Sequence, residues 1–310
     1  MENKKSRGFI VLLLNKGVYI KLKKIGIVIL NYLNYHDTIE CIESLKQQTN
    51  QSFEIIIVDN DSQNGSYEKL CEQYGSTDAI NIIETGKNLG YAKGNNVGIK
   101  FGKQKLGLKN ILIVNNDVIF TDTNYVDFLI NFDIGGEIGA VGTRIIGVDG
   151  LNQNPVYTPI TRKRLVKDAI YFTLEKWNVL RFYTSLKNKI KPVAEIQSKG
   201  TSTEDSENKN YFLHGSAMLL TENFLDEMDG FFPETFLYYE ENILAIMMEK
   251  LNLKMVYTDG AEIYHKEDQS SALSFGNNPK IFNKYLVQSI WIALKVKLSS
   301  LQQIKKTVNR

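Results

Sequence analysis

The chain has 310 residues, is 43% hydrophobic and carries a net charge of +2. That is enough apolar matter for one large core or two small ones, and too little charge for a nucleic-acid surface. Its two cysteines, Cys41 and Cys71, lack any metal-type spacing, which sets aside a zinc site and a disulfide framework and points to a reducing compartment.

No apolar run approaches the ~18 residues of a membrane-spanning helix. Phe9–Leu14 is a short apolar run with basic flanks, but Lys16 follows it and no small-residue cleavage site does, so no signal peptide is read. Residues 1–24 are basic and irregular and are read as an extension outside the fold. Ile25–Leu30 (IGIVIL) is the first strand, closed by Asn31 and Tyr32. Tyr35–Gln48 follows with Ile39, Ile42 and Leu45 on one helical face. Phe53–Val58 is the second strand. It ends in Asp59, Asn60, Asp61 and Ser62, and Ser66 is placed to cap a helix over Tyr67–Tyr74. Ala79–Glu84 is a third, weaker strand.

Glycines then recur every four residues at Gly86, Gly90, Gly94 and Gly98. A helix over Tyr91–Lys103 puts Gly94 and Gly98 on one face for close packing. Gly86 and Gly90 stay in the preceding loop, where backbone N–H groups with Lys87 or Lys93 suit a phosphate. The spacing is neither a P-loop nor the dinucleotide fingerprint.

The chain is organised around Ile111–Val114, an apolar run short enough for a strand buried on both faces. It stops on Asn115, Asn116 and Asp117. In a parallel α/β sheet, ligands collect at the carboxyl ends of strands. A carboxylate there, flanked by amides, suits a hard divalent cation that touches phosphate. A helix from about Asp122 to Phe132 and a short strand over Ile138–Gly142 continue the rhythm, which predicts a doubly wound, mostly parallel sheet.

After Gly147 the rhythm breaks. Arg162–Arg164 is a basic cluster, Leu174–Leu186 an amphipathic piece, and Gln197–Asn210 a polar stretch read as a mobile loop. Order returns at Tyr211–Leu220 (YFLHGSAMLL). Gly230–Leu253 holds Glu240 and Glu241 before an apolar helix, and Lys254–Tyr257 reads as a strand with His265 beyond it. From Gln269 onward there is no acidic residue. Phe282, Leu286, Ile290, Leu294 and Leu301 recur at helical spacing among seven Lys or Arg residues, with Trp291 and Tyr285 suited to a lipid interface. This tail is read either as docking on an anionic membrane surface or as packing on the catalytic domain or a second subunit.

Taken in order, these signals resemble an inverting glycosyltransferase of family 2 with the GT-A fold, of the rhamnosyltransferase-like kind. The resemblance is carried by VILNY (Val28–Tyr32), VDNDS (Val58–Ser62), GKNLGYAKGNNVG (Gly86–Gly98), VNND (Val114–Asp117), FLHGSAMLL (Phe212–Leu220), FLYYEEN (Phe236–Asn242) and YH (Tyr264, His265). It implies a Rossmann-like, mostly parallel sheet flanked by helices over residues 25–268. Within it, 25–147 would be the nucleotide-sugar half, 148–210 a variable insertion and 211–268 the acceptor and catalytic half, with 269–310 a helical tail.

It further implies transfer from a UDP- or dTDP-sugar, dTDP-rhamnose included, to a saccharide or lipid-linked acceptor in surface polysaccharide synthesis. The setting would be cytoplasmic, peripheral on the inner face of the plasma membrane, with Mn2+ or Mg2+ as cofactor. Asn31, Asp59, Asp61, Gly86, Asn88, Lys93 and Asn116 would bind the nucleotide sugar. Asp117 and His265 would hold the metal. Glu241 or Glu240 would be the general base, with Glu241 preferred, and His214 is a lesser candidate. Two positions depart from the family pattern: Asn115 stands for the first acid of DxD, and Ile243 for the last acid of E-D-x-D. The alternatives are a nucleotidyltransferase of nucleotide-sugar synthesis, which would need an early Arg- and Lys-bearing phosphate loop, and a catalytically inactive carbohydrate- or membrane-binding homologue.

Overall fold

The computed structural model describes residues 11–14, 18–21, 24–157, 160–176, 211–267 and 279–310. Strands β1 (Val11–Leu14) and β2 (Val18–Lys21) pair antiparallel in a sheet of their own. The extension is therefore not irregular throughout; β2 carries Val18, Tyr19 and Ile20, residue types that favour strands.

The main sheet contains β3 (Ile25–Asn31), β4 (Phe53–Asp59), β5 (Ile80–Glu84), β6 (Asn110–Asn115), β7 (Val118–Ile119), β8 (Ile138–Ile146), β9 (Ala217–Leu220) and β10 (Lys254–His265). Their spatial order is β5-β4-β3-β6-β9-β8-β10-β7. From β5 to β6 every pairing is parallel. β9 then enters antiparallel between β6 and β8, β10 runs parallel to β8, and β7 closes the far edge antiparallel to β10. The sheet is thus mixed, mostly parallel. β8 runs four residues past the expected end at Gly142, and β10 carries through a register irregularity between Tyr257 and Glu262 to reach His265. That irregularity is why the sequence pattern breaks there.

Both faces of the sheet are covered, which explains the unbroken apolar runs. On one face Ile27, Ile29, Ile55 and Ile57 pack with Cys41, Ile42 and Leu45 of α1 (Tyr35–Lys46), with Leu70 of α2 (Ser66–Tyr74) and with Leu129 of α4 (Tyr125–Asn131). On the other, Val28, Ile56 and Val58 pack against α3 (Gly90–Leu106). A Cβ on Gly98 would lie 2.5 Å from Val28 Cγ1, and one on Gly94 would lie 2.6 Å from Leu30 Cδ1. The glycine face of α3 therefore does allow the close approach expected of it. Ser66 does not cap α2. Gly65, at φ 81°, precedes the helix, and the Ser66 hydroxyl donates to Asn64 Oδ1 instead.

The basic cluster Arg162–Arg164 is the first turn of α5 (Arg162–Lys176), where Arg164 pairs with Asp168 at 2.7 Å. Most of Leu174–Leu186 and all of Gln197–Asn210 lie outside the described residues. Short α6 (Glu222–Leu225) precedes α7 (Glu240–Leu251), and the tail forms α8 (Pro279–Leu298) and α9 (Leu301–Val308). Ala293, Val296, Ile304 and Val308 are buried in the core that α7 also enters, and Ile290 is buried as well. Ile290 and Leu294 of the tail's apolar stripe are thus buried within the chain, whereas Phe282 and Trp291 stay exposed. Three of its lysines meet acids from elsewhere in the chain: Lys295 with Glu234, Lys297 with Glu249 and Lys305 with Glu227. The expectation of an unopposed basic tail fails at these three residues because it counted acids along the sequence rather than across the fold.

Candidate active site

At the carboxyl ends of β3 and β4, polar side chains form a buried network. Asn31 Nδ2 donates to Asp59 Oδ2 at 2.5 Å, and Thr38 Oγ1 on α1 donates to Asn31 Oδ1 at 2.8 Å. Asp59 Oδ1 accepts from the Ser62 N–H at 2.8 Å. Asn116 Nδ2 joins the same network, reaching Asn34 O at 2.9 Å and Thr38 Oγ1 at 3.2 Å. Its amide braces the turn after β6 against α1. Asp61, left-handed at φ 64°, accepts from Gln63 and is partly exposed.

Asn88 Oδ1 accepts from the Gly90 N–H at 2.9 Å and from Asn60 Nδ2 at 3.1 Å, which fixes the loop leading into α3. Gly86, at φ 67°, has open space around it, and Lys93 is exposed. The structure brings Asn31, Asp59 and Asn116 into one network and leaves Asp61, Gly86 and Lys93 on the rim.

Asp117 and His265 come together because β7 pairs with the end of β10, with Val118 opposite His265. The Lys266 N–H donates to Asp117 O at 3.0 Å, and Lys266 Nζ pairs with Asp37 and, at 3.0 Å, with Glu40. Asp117 Oδ1 lies 3.4 Å from His265 Nε2, and both residues are buried. His265 Nδ1 is 2.8 Å from Gln153 Oε1. A carbonyl oxygen only accepts, so the hydrogen-bond network puts a proton on Nδ1 and leaves Nε2 facing Asp117. That is the second-layer arrangement metal-binding histidines use. Among the described residues no group of three or more His, Cys, Asp or Glu gathers for a metal. A carboxylate and an oriented imidazole are donor types that fit a divalent cation.

The acid pair opens α7. Tyr238 and Tyr239 before it are both left-handed, at φ 73° and φ 70°, a strained entry of the kind that clusters at functional sites. Glu240 is only 4% exposed. Burial first, and the neighbouring Glu241 second, push its carboxyl up to about 8. Burial also raises Glu241 above the usual carboxylate range. The Glu241 carboxyl lies against Gly215, where any Cβ would collide with it. Tyr91 Oη donates to Gly215 O at 2.7 Å. His214, beside this glycine, accepts from the Ser216 N–H at 3.2 Å through Nδ1. Burial and then the nearby His265 lower it to about 4, so it is neutral at pH 7. Ile243, at the position of the family's last acid, is buried in the core.

Sequence reasoning missed Gln153, which orients His265, and Tyr91, which holds Gly215. Gln153 falls where the strand rhythm had broken and carries no periodic signal. Tyr91 was visible as an aromatic in the glycine-rich stretch, but its partner lies 124 residues away.

The sequence profile described as glycosyl transferase family 2 matches residues 26–198, more than half of the chain. The chain belongs to this family. A curated relative, the low-salt glycan biosynthesis hexosyltransferase Agl10 of Haloferax volcanii, is 22% identical over 246 residues, covering 79% of this chain and 68% of Agl10. Among solved structures, S. aureus TarS 1-349 in complex with UDP-GlcNAc is similar, with a TM-score of 0.53 and 14% identity over 91% of this chain and 69% of that one. Mannosyltransferase PcManGT from Pyrobaculum calidifontis, in complex with GDP-Man and Mn2+, gives a TM-score of 0.51 and 10% identity over 88% of this chain and 72% of that one. This chain spans 36% of the longer TarS structure. At these identities the likeness shows the fold, which is GT-A.

Proposed function

We propose that this family 2 member moves a hexosyl unit from a nucleoside-diphosphate sugar to an acceptor hydroxyl with inversion. The observation that carries the reading is the convergence of Asp117 with His265 at the sheet's carboxyl end, with Glu241 seated on Gly215 in the neighbouring turn. The solved relatives hold UDP-GlcNAc in one case and GDP-Man with Mn2+ in another, and the curated relative is named a hexosyltransferase.

In this reading Asp59 and Asn31 accept and donate to the nucleobase, with Asp61, Gly86, Asn88 and Lys93 around the rest of the nucleotide sugar. Asp117 and His265 would hold Mn2+ or Mg2+, which when bound neutralises charge on the departing diphosphate. Glu241 takes the proton from the attacking hydroxyl. It suits the role better than Glu240 because it is partly exposed, whereas Glu240 is enclosed. A raised carboxyl is a stronger base once ionised, and works best near its own pKa. The acceptor is a saccharide or a lipid-linked saccharide of surface polysaccharide synthesis. Among the described residues no helix is long and apolar enough to cross a membrane.

The test is a melting-temperature screen with UDP-GlcNAc, GDP-mannose and dTDP-rhamnose, each with and without Mn2+, followed by turnover of any donor that binds. A bound donor raises the melting temperature by mass action. Expected is a shift larger with Mn2+ than without it. No shift with any of these sugars, in either condition, overturns the reading.

A further inference from the structure

We infer that the Tyr91 hydroxyl is a positioning group that sets the seat of Glu241; this rests on the proposed role of Glu241 as base. Tyr91 stands in the first turn of α3 and joins two loops that nothing in the local sequence connects. Its backbone N–H donates to Phe236 O at 2.9 Å, fixing the segment that runs into Tyr238, Tyr239 and the acid pair. Its side chain crosses to the other loop, where Oη donates to Gly215 O at 2.7 Å.

The Glu241 carboxyl rests on the bare α-carbon of Gly215. One residue therefore holds both the helix start that carries the acid and the floor it sits on. The neighbouring glycine tightens the arrangement, because a Cβ on Gly90 would collide with Phe236 O, so the loop lies directly on the backbone of α3. The ring itself is packed edge-on against Phe231, with centroids 5.7 Å apart. Tyr91→Phe keeps that packing and removes one hydrogen bond. What it loses is the tie between floor and helix.

Displacement of a catalytic group by a fraction of an ångström lowers turnover without weakening substrate binding. Among the described residues the hydroxyl makes no second hydrogen bond, so its loss should appear in kcat and not in donor affinity.

The experiment uses the full chain as wild type, Tyr91→Phe, Gly215→Ala and the double variant, with Glu241→Gln as reference. Crystal structures of wild type and Tyr91→Phe give a readout independent of any donor. Expected is a Gly215 loop shifted away from the Glu241 carboxyl in the variant. A carboxyl and loop in the wild-type places overturn the inference.

For turnover, the donors are UDP-GlcNAc, GDP-mannose and dTDP-rhamnose with Mn2+. Expected is a fall in kcat of roughly tenfold or more in Tyr91→Phe, with KM for the donor within about twofold. Gly215→Ala displaces the same carboxyl directly, so the double variant should lose little beyond Gly215→Ala alone. A kcat within about twofold of wild type, or losses that multiply in full in the double variant, overturn the inference. If Glu241→Gln is as active as wild type, the base assignment fails, a result distinguishable from failure of the Tyr91 tie.

Discussion

Asp117 stands on a two-residue turn, yet its surroundings come from three separate stretches: the end of β10 through His265 and the Lys266 backbone, Gln153 through the imidazole, and the start of α1 through Asn116. Replacing Asp117 by Asn keeps the shape and removes the charge. The Mn2+-dependent part of the donor-induced melting shift should disappear, while the metal-free protein melts within a few degrees of wild type. Isothermal titration with Mn2+ in the presence of UDP checks the same point directly. Glu241→Gln should keep donor binding and lower kcat by about 10²-fold or more, measured under saturating donor.

Glu240 makes a separate prediction about stability. Its folded carboxyl titrates near 8, above its ordinary value of 4.5, so between those two values the folded state binds the proton the unfolded state has lost. Stability therefore falls as pH rises through that window, and the cost is complete above it. Glu240→Gln removes the cost. Its melting temperature should exceed that of wild type at pH 8, and the difference should vanish near pH 4. Calorimetry across that range checks the sign, and a variant that melts lower than wild type at pH 8 would count against it.

At the scale of elements, α3 shows what the sequence made legible. Four-residue glycine spacing indicated a helix pressed against the sheet, and Gly94 and Gly98 do face Leu30 and Val28. Gly98→Ala gains helix propensity of about 1 kcal/mol, but the added methyl must displace Val28 in a packed core, which costs about 1–3 kcal/mol. The net expectation is modest destabilisation, read as a lower urea midpoint at unchanged slope. The strands β3, β4 and β6 were equally legible because burial on both faces writes them as solid apolar runs. Their polar ends marked Asn31, Asp59 and Asp117 for the same reason, since a run that stops on side chains with hydrogen-bonding capacity must satisfy them there. What lay beyond reading were ties between distant segments. Nothing local in β8 announces that β10 will lengthen it, and nothing near Tyr91 names Gly215. The Ser66 cap failed because Gly65, free to adopt a positive φ, takes the position before the helix.

At the scale of the molecule, the tail is part of the core. Ile290 has no exposed surface, and Val296 and Ile304 share a buried cluster with Ile243 and Met247 of α7. Ile290→Ala should cost roughly 2–5 kcal/mol, and denaturant unfolding will report it as a loss of global stability. A tail that merely lay on a surface would show almost no change. The strand order has a further consequence, for the time course of assembly. β3, β4 and β5 pair in sequence order and β6 returns to the free edge of β3, so residues 25–115 can pair among themselves early. β9 sits at the centre of the finished sheet but follows its partner β6 by about a hundred residues of chain. Contacts of such sequence separation form late, because the closure entropy precedes any reward. Pulse-labelled hydrogen exchange during refolding should therefore protect the amides of β3 and β4 before those of β9. The seam between β6 and β9 joins the Asn31–Asp59 network to the Gly215 loop, so under the proposed function donor binding should be regained only with the slower of the two phases.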